Sequence, residues 1–429
     1  MRRLFYLGFS LGLLFIMAGW WAGSGHDLAM PGVRLIAIGR LFGLLAAYCI
    51  ILQIMLMSRV PFIERNFDLQ DIIDLHRLTG YSILGAVSGH LVYLVLGYGS
   101  STHTGVWTQF VIFNTQFEDV FWATLGTVIF FIAAAISVRA IRLKMRFEIW
   151  YAVHLTIYFA ILLTFLHQIK TGGDFIHNFW FTAFWYGIYS LAFVLWLWYR
   201  ALRPIFMLAK HRFRIHSVEQ TAVGIYSVYI EGRRIPEFTF MPGQYATWRI
   251  FTSDLWLEAH PFSISSARHG SLIRFTAKTS GDFTQQLEHL QPGALVLIDG
   301  PRGSFGADRA EQTSEVVLIA GGIGIAPYLS TAGILLDQAK KVVLLYAVQT
   351  VADLAFQDEL IALQKRGLIV RTFIGDQNGR ITDEILADIE TIDTTVYICG
   401  PSGMSRAFYK SLKQNGFPAR RIIMERFSF

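Results

Sequence analysis

The sequence predicts a membrane bundle of six transmembrane α-helices, followed by an antiparallel β-barrel and an α/β doubly wound domain. Three observations predict it. Apolar stretches at 4–22, 34–57, 72–98, 118–138, 148–168 and 179–199 are each long enough to cross a hydrocarbon core of roughly 30 Å. After residue 205 the pattern changes to alternating strands, Val223 to Tyr229, Gln244 to Phe251 and Leu272 to Thr276, broken by turn signals such as Pro242-Gly243. From about 314 it becomes strand, glycine turn and helix, repeated, with strands at Glu315 to Ala320, Lys341 to Ala347, Ile369 to Phe373 and Thr395 to Cys399. The expected domains are therefore 1–205, 206–308 and 309–429.

Composition agrees with this division. The chain has 429 residues, 53% hydrophobic and 16% charged, with a mean hydropathy of +0.44, too apolar for an ordinary soluble protein. The net charge of +6 does not signal nucleic acid, because the basic residues lie beside apolar segments. Arg139, Arg142, Lys144 and Arg146 crowd one loop; Arg59, Arg65 and Arg77 mark another; Arg200, Arg203, Lys210, Arg212 and Arg214 follow the sixth stretch. The loops at 99–117 and 169–178 hold only Lys170. Positive-inside bias then puts the N-terminus and everything beyond residue 200 in the cytoplasm, in a multi-pass protein of the cell membrane. Arg2 and Arg3 precede a first apolar run too long for a secretory signal, which is expected to be retained. Cys49 and Cys399 are the only cysteines, so neither a disulfide framework nor a cysteine-rich metal site is expected.

Four histidines carry the strongest signal. His76 and His90 lie in the third apolar stretch, and His154 and His167 in the fifth. Separations of fourteen and thirteen residues correspond to rises of about 21 and 20 Å along a helix. Because the third and fifth spans run in the same direction, His76 faces His154 at an inner site and His90 faces His167 at an outer one. Imidazole ligates haem iron, and ionisable residues within membrane spans are costly enough to imply function, so two stacked haems are expected. Thirteen residues, however, turn about 140° away from the starting face. The fifth span should therefore contain a distortion such as a π-bulge, or the two sites should be offset sideways. Gly80, Gly85 and Gly89 in the third span suit either a macrocycle or close helix packing. Arg40, near the outer end of the second span, either snorkels to the headgroups or meets an anionic group at the outer site.

The remaining motifs lie in the second half. Ile319 to Pro327, reading IAGGIGIAP, closes a strand and opens a helix, where glycines admit a pyrophosphate to backbone amides. Cys399 to Met404, reading CGPSGM, is a second glycine turn after a later parallel strand. Upstream, His260-Pro-Phe-Ser-Ile-Ser-Ser266 ends a barrel strand, and Lys278 to Thr284 joins a strand to a helical stretch. There Ser263 can bond a ring nitrogen, and Lys278 can bind a diphosphate.

The order GQY (243–245), HPFSISS, GDFT (281–284), GPRG (300–303), GGIGIAP and CGPSGM resembles the ferredoxin–NADP reductase-type flavoprotein module. With six spans and paired histidines before it, nearly the whole chain resembles the NADPH oxidase and ferric reductase superfamily. That resemblance implies FAD on the barrel, two b-type haems in the bundle, and NADPH or NADH as the donor. It implies that His260, Pro261, Phe262 and Ser263 hold the flavin, and that Lys278, Gly281 and Thr284 hold its diphosphate. Lys278 replaces the arginine common in relatives, keeping the charge without the bidentate fork. Gly321, Gly322, Gly324 and Pro327 are implied to hold the dinucleotide, with Cys399, Gly400 and Pro401 near the nicotinamide. The flavin-stacking aromatic is implied at Phe427, two positions after Glu425, with Phe429 as the alternative.

After the strand ending near Ala347, Gln349 and Thr350 stand where NADPH-preferring relatives often carry arginine, so NADH is expected to be accepted, unless Arg371 or Arg380 supplies the charge. The expected reaction moves electrons to external dioxygen, giving superoxide, with Arg40, Cys399 and Phe427 as the catalytic contacts. The alternatives are ferric chelate or another metal ion as acceptor, or an extracytoplasmic partner protein. His26, His103 and His177 in the outer loops show no clustered metal-ligand spacing. No calcium-loop motif is present, so no attached calcium switch is expected.

Overall fold

The computed structural model describes residues 2–25, 28, 30–67, 69–138, 144–145, 147–172, 178–266, 270–303, 305–310, 312–377, 379 and 381–426. The chain forms two compact units, residues 1–60 with 71–200, and residues 61–70 with 201–429.

The first unit is helical. Helices α1 (Arg2–Trp20), α2 (Pro31–Met57), α3 (Pro61–Asn66, part of the second unit), α4 (Leu69–Thr102), α5 (Val106–Gln116), α6 (Glu118–Ile136), α7 (Phe147–Lys170) and α8 (Phe179–Trp196) follow in order. Among the described residues six segments are long and apolar enough to cross a membrane, in the places the sequence predicts. Local chemistry sets their starts. Pro31, whose missing N–H costs nothing at a first helical position, opens α2. Asn178 caps α8 by accepting from the amides of Trp180 and Phe181 at 3.0 and 3.2 Å.

Large apolar side chains such as Leu14, Trp107 and Phe179 point outward, while the interior holds small residues such as Ala37, Ala123 and Ala160 beside a cluster of larger ones, Ile51, Phe181 and Trp185. This suits lipid, where association depends on close backbone approach rather than on burying apolar surface. Gly126 of α6 illustrates it: a Cβ there would lie 2.7 Å from the Ala160 carbonyl of α7. The glycines of α4 divide between the two readings. A Cβ at Gly89 would meet the Phe42 ring of α2 at 3.0 Å and one at Gly80 would meet Gln53 at 3.3 Å, whereas Gly85 faces open space. Of the two alternatives for the fifth span, the distortion is absent. Helix α7 is α-helical throughout, and the π-helical turns fall at Trp21–Gly25 and Leu197–Leu202 instead.

The second unit begins with α9 (Arg203–His211), whose last turn ends at Arg212 in the left-handed conformation. Six strands follow: β1 (Arg214–Ala222), β2 (Ile225–Glu231), β3 (Tyr245–Phe251), β4 (His260–Ser263), β5 (Ile273–Lys278) and β6 (Leu295–Arg302). They form one antiparallel sheet in the order β4-β3-β6-β1-β2-β5. Its core is built on Trp248, Phe275, Phe213, Ile215 and Ile298. Val223 and Gly224, expected within a strand, instead form the tight turn between β1 and β2, with Gly224 at φ +65°.

Beyond it, β7 (Glu315–Gly321), β8 (Lys341–Val348), β9 (Ile369–Ile374), β10 (Thr394–Gly400) and β11 (Ile422–Arg426) form a parallel sheet in the order β11-β10-β7-β8-β9. Helices α10 (Asp282–Gln285, in the barrel), α11 (Ala326–Asp337), α12 (Gln357–Lys365), α13 (Asp383–Ala387) and α14 (Ser402–Gln414) complete the unit. The sheet is covered on both faces: Val316, Leu318 and Ala320 pack with Tyr328 and Leu335, while Val317 and Ile319 pack with Leu386 and Leu412. Strands β7, β8 and β10 accordingly read as unbroken apolar runs.

Candidate functional site

Within the first unit, α4 and α7 bring the four histidines together in two pairs. The rings of His76 and His154 are centred 6.1 Å apart, and those of His90 and His167 6.2 Å apart. Two imidazoles on one metal ion, each with a bond of about 2.0 Å and about 1.1 Å more to the ring centre, are centred about 6 Å apart. Both pairs match that separation. The helix that carries His154 and His167 is regular, so the two rings leave it on different flanks. This agrees with sites offset sideways.

Hydrogen bonding fixes the proton on three of the rings. His90 Nδ1 lies 2.8 Å from the Gly39 carbonyl, and His167 Nδ1 bonds the Thr164 carbonyl one turn earlier. A carbonyl only accepts, so both Nδ1 atoms carry hydrogen. His154 Nδ1 lies 3.0 Å from Ser137 Oγ, whose own proton goes to the Ala133 carbonyl at 2.7 Å, so this Nδ1 is also the donor. In all three the lone pair is left on Nε2, as a metal-ligating histidine with an oriented second nitrogen requires. His76 is held differently. Gln53 Nε2 bonds its backbone carbonyl at 2.8 Å, while His76 Nδ1 is buried with no partner among the described residues. These donors fit haem iron.

A cavity of about 440 Å³ adjoins the second pair, lined by His90, His167, Arg40, Gln168, Phe113 and Phe117 among others. Gly43 makes room for the imidazole, since a Cβ there would lie 2.6 Å from His90 Nδ1. Arg40 borders the cavity and donates to Ser24 Oγ at 3.0 Å. The indole of Trp150, one turn before His154, stacks on its ring at 5.3 Å and 23°. Sequence reasoning missed Ser137, Gly39 and Gly43, which act from other helices. Trp150 was discoverable, standing four residues before a candidate ligand on one helix.

In the barrel, β4 carries His260, Pro261, Phe262 and Ser263. Phe262 stacks on Phe275 at 5.0 Å and 7°, His260 lies 4.2 Å from the Phe283 ring, and His260 Nε2 is 2.9 Å from Glu258. Ser263 is buried. Thr284 Oγ1 accepts from the amides of Ser280 and Gly281 at 2.9 and 3.0 Å and so closes the loop before α10. At Gly281 a Cβ would meet nothing within 4 Å and φ is extended, so open space, rather than strain, distinguishes this glycine. Lys278 Nζ, expected to face a diphosphate, reaches Asp353 at 2.8 Å. The ammonium holds the Asp353 carboxyl below its ordinary range. A connection the sequence did not reveal lies nearby: buried Arg274 forks onto Glu359 of α12 at 2.6 and 2.8 Å, tying the barrel to the parallel sheet.

In the parallel sheet, β7 stands between β8 and β10, so chain order reverses there and a crevice opens at the strand ends. The two glycine turns meet at this point. A Cβ at Gly321 would lie 2.7 Å from the Met404 sulfur and 2.9 Å from Pro401, and one at Gly324 would overlap the Cys399 carbonyl. Close packing of one turn on the other therefore demands these two glycines. Gly322, at φ +54° with open space around it, is where a ligand can approach the backbone. Pro327 lies in the first turn of α11.

Cys399, at the end of β10, is wholly buried in one cluster with Tyr397 and Tyr328. Burial, and then the charge of Glu425, push that thiol well above its usual value. Phe427, Phe429, Arg139, Arg142, Arg146, Arg380, His26 and His177 lie outside the described residues. Among the described residues no three His, Cys, Asp or Glu side chains cluster as a metal site.

Three family models match in succession: a ferric reductase like transmembrane component over residues 42–165, an FAD-binding domain over 212–305, and an oxidoreductase NAD-binding domain over 318–410. The chain is 30% identical to the reductase component of propane 2-monooxygenase from Mycolicibacterium smegmatis, covering 51% of this chain and 67% of the relative. It is 29% identical to the electron transfer subunit of dihydroorotate dehydrogenase B (NAD(+)) from Geobacillus kaustophilus, covering 51% and 83%. Among solved structures, a ferredoxin NADP+ reductase from Neisseria gonorrhoeae with bound FAD and NADP aligns with 50% of this chain and 98% of its own, at 20% identity and a TM-score of 0.45. The chain belongs to the NADPH oxidase and ferric reductase architecture, a ferric-reductase-like membrane component fused to a ferredoxin reductase-type module. It is a multi-pass membrane oxidoreductase that transfers electrons and has domains for FAD and NAD(P)H.

Proposed function

We propose that this chain carries electrons from cytosolic NAD(P)H to an acceptor on the far side of the membrane, with His76 and His154 holding an inner b-type haem and His90 and His167 an outer one. The matched ring separations and the three fixed Nδ1 protons carry this reading. When bound, FAD supplies the change from two-electron to one-electron transfer, and the haems supply one-electron carriers at two depths. The chain's own residues bind and position. His260, Pro261, Phe262 and Ser263 line the flavin; Gly281 and Thr284 shape the turn for its diphosphate; Lys278 adds positive charge beside that turn. Gly322 and the start of α11 receive the dinucleotide phosphates at a helix N-terminus, with Gly321, Gly324, Gly400 and Pro401 shaping the crevice and Pro327 in the first turn. Phe427, or else Phe429, stacks on the flavin. Basic loops at Arg59, Arg65 and Arg77, and after residue 200, support a cytoplasmic flavoprotein half.

NADH is accepted at least as readily as NADPH. Gln349 and Thr350 follow β8, and Asp353, bonded to the Thr350 hydroxyl at 2.9 Å, brings negative charge close to where a 2′-phosphate would need an arginine. Comparable kcat/KM for the two nucleotides is expected; a hundredfold preference for NADPH would refute it.

The acceptor is dioxygen, each molecule taking one electron, so that one NAD(P)H and two O2 give NAD(P)+, H+ and two superoxide ions. Arg40, on the wall of the outer cavity, supports an anionic product there. A second reading, reduction of a ferric chelate, is favoured by the matched membrane component; electron supply to an extracytoplasmic partner is a third. In sealed vesicles, reduction of an external dye that superoxide dismutase abolishes supports the first. Insensitive reduction of ferric chelate supports the second, and activity only with an added surface protein supports the third.

A further inference from the structure

The two histidine pairs differ in what holds them. Both outer rings donate from Nδ1 to backbone carbonyls, Gly39 for His90 and Thr164 for His167, so no substitution deletes either acceptor. At the inner pair one ring donates to a side chain. Ser137, the residue that ends α6, has its hydroxyl proton on the Ala133 carbonyl at 2.7 Å and its lone pair facing His154 Nδ1 at 3.0 Å. Trp150 stacks against the same imidazole. The partner ring, His76, has no Nδ1 acceptor among the described residues. The inner site thus orients His154 through a replaceable hydroxyl.

We propose that Ser137 is a positioning residue for the inner haem, fixing the tautomer and orientation of His154 and setting that haem's reduction potential. The proposal rests on the haem reading above. An acceptor on Nδ1–H makes the imidazole a more basic ligand, and a more basic ligand favours the ferric state. Removing the acceptor raises the potential of the inner haem alone. Because the outer acceptors are main-chain atoms, position 137 is where sequence can shift the inner haem relative to the outer.

The test is an anaerobic optical redox titration of the full-length protein in detergent, on wild type, Ser137→Ala, Ser137→Thr and Ser88→Ala. Ser88 lies on α4, and its hydroxyl bonds the Leu84 carbonyl of its own helix at 2.8 Å, so it controls for loss of a hydroxyl in the bundle. Two one-electron waves are expected in wild type. In Ser137→Ala one wave moves positive, by about tenfold in the ferric to ferrous ratio at a fixed potential or about 59 mV, and the other stays. Ser137→Thr restores the wave and Ser88→Ala moves neither. Should Ser137→Ala lose the inner haem, retention of both haems and both waves in Ser137→Thr supports the proposal, and loss in both variants overturns it. Unmoved waves in Ser137→Ala with both haems present, or an equal shift in Ser88→Ala, also overturn it. A wild-type protein without haem bands instead defeats the proposed function itself.

Discussion

The two units of this chain differ in what they turn outward and in where they keep their polar groups. The membrane unit turns Leu14, Trp107 and Phe179 outward and keeps His90 and Gln109 inside beside Trp185 and Ile51, whereas the second unit buries Trp248, Tyr346 and Phe417. In lipid no hydrophobic gain comes from burying an apolar side chain, so the interior can hold polar groups, provided each finds a partner. In water the interior is filled by the residues that drive folding, and ligand-binding chemistry moves to loops at the strand ends. Function in the first unit is thus written in side chains, and in the second largely in backbone.

Substitutions that exchange these two logics test the contrast. His90→Leu removes a ligand without disturbing an apolar surround; half of the haem absorbance and all external reduction should disappear, while flavin reduction by NADH continues. External reduction that survives would break the proposed route. Gly43→Leu should lose the same haem with both outer ligands present, because the new side chain needs the space of the His90 ring, 2.6 Å from its Cβ. Unchanged haem content would show that the imidazole is not confined there.

In the second unit the corresponding change is Gly324→Ala, which drives a methyl into the Cys399 carbonyl. It should cost about 1–3 kcal/mol of stability and raise the KM for NADH, with the haem spectrum unaltered; a normal KM would contradict the closeness of the two turns. The smallest effect belongs to the Lys278–Asp353 pair. The folded-state pKa of Asp353 is depressed, so its contribution is present above the ordinary carboxylate value and lost as pH falls through the folded pKa. Lys278 is half exposed and solvent screens the pair. Asp353→Asn should therefore remove only a slight acid sensitivity from the melting temperature, and a large loss of stability at neutral pH would mean that solvent does not screen its bonds to Lys278 and Thr350.

The same contrast explains what the sequence disclosed. Spans and paired histidines were legible because an ionisable residue in an apolar run is conspicuous, and β7, β8 and β10 because buried parallel strands are continuous apolar runs. Strand β1 was hidden, since half of it is polar and pairs along a partly exposed surface. Strand β6 was hidden because Asp299, Gly300 and Pro301 within it read as a turn. A distorted fifth span and offset sites stayed open as alternatives, because periodicity fixes where a Cα points, whereas side chains on two flanks can still meet one neighbouring helix. At the site, Ser137 and Gly43 carried no local signal, because their roles arise only when another helix lies alongside.

The most direct test of the central claim is the absorption spectrum of the purified full-length protein, oxidised and then reduced anaerobically with NADH. Flavin bleaching together with the sharp bands of two low-spin b-haems per chain, reduced through the bound flavin, is the predicted result. A protein that binds FAD and oxidises NADH but shows no haem bands would contradict it.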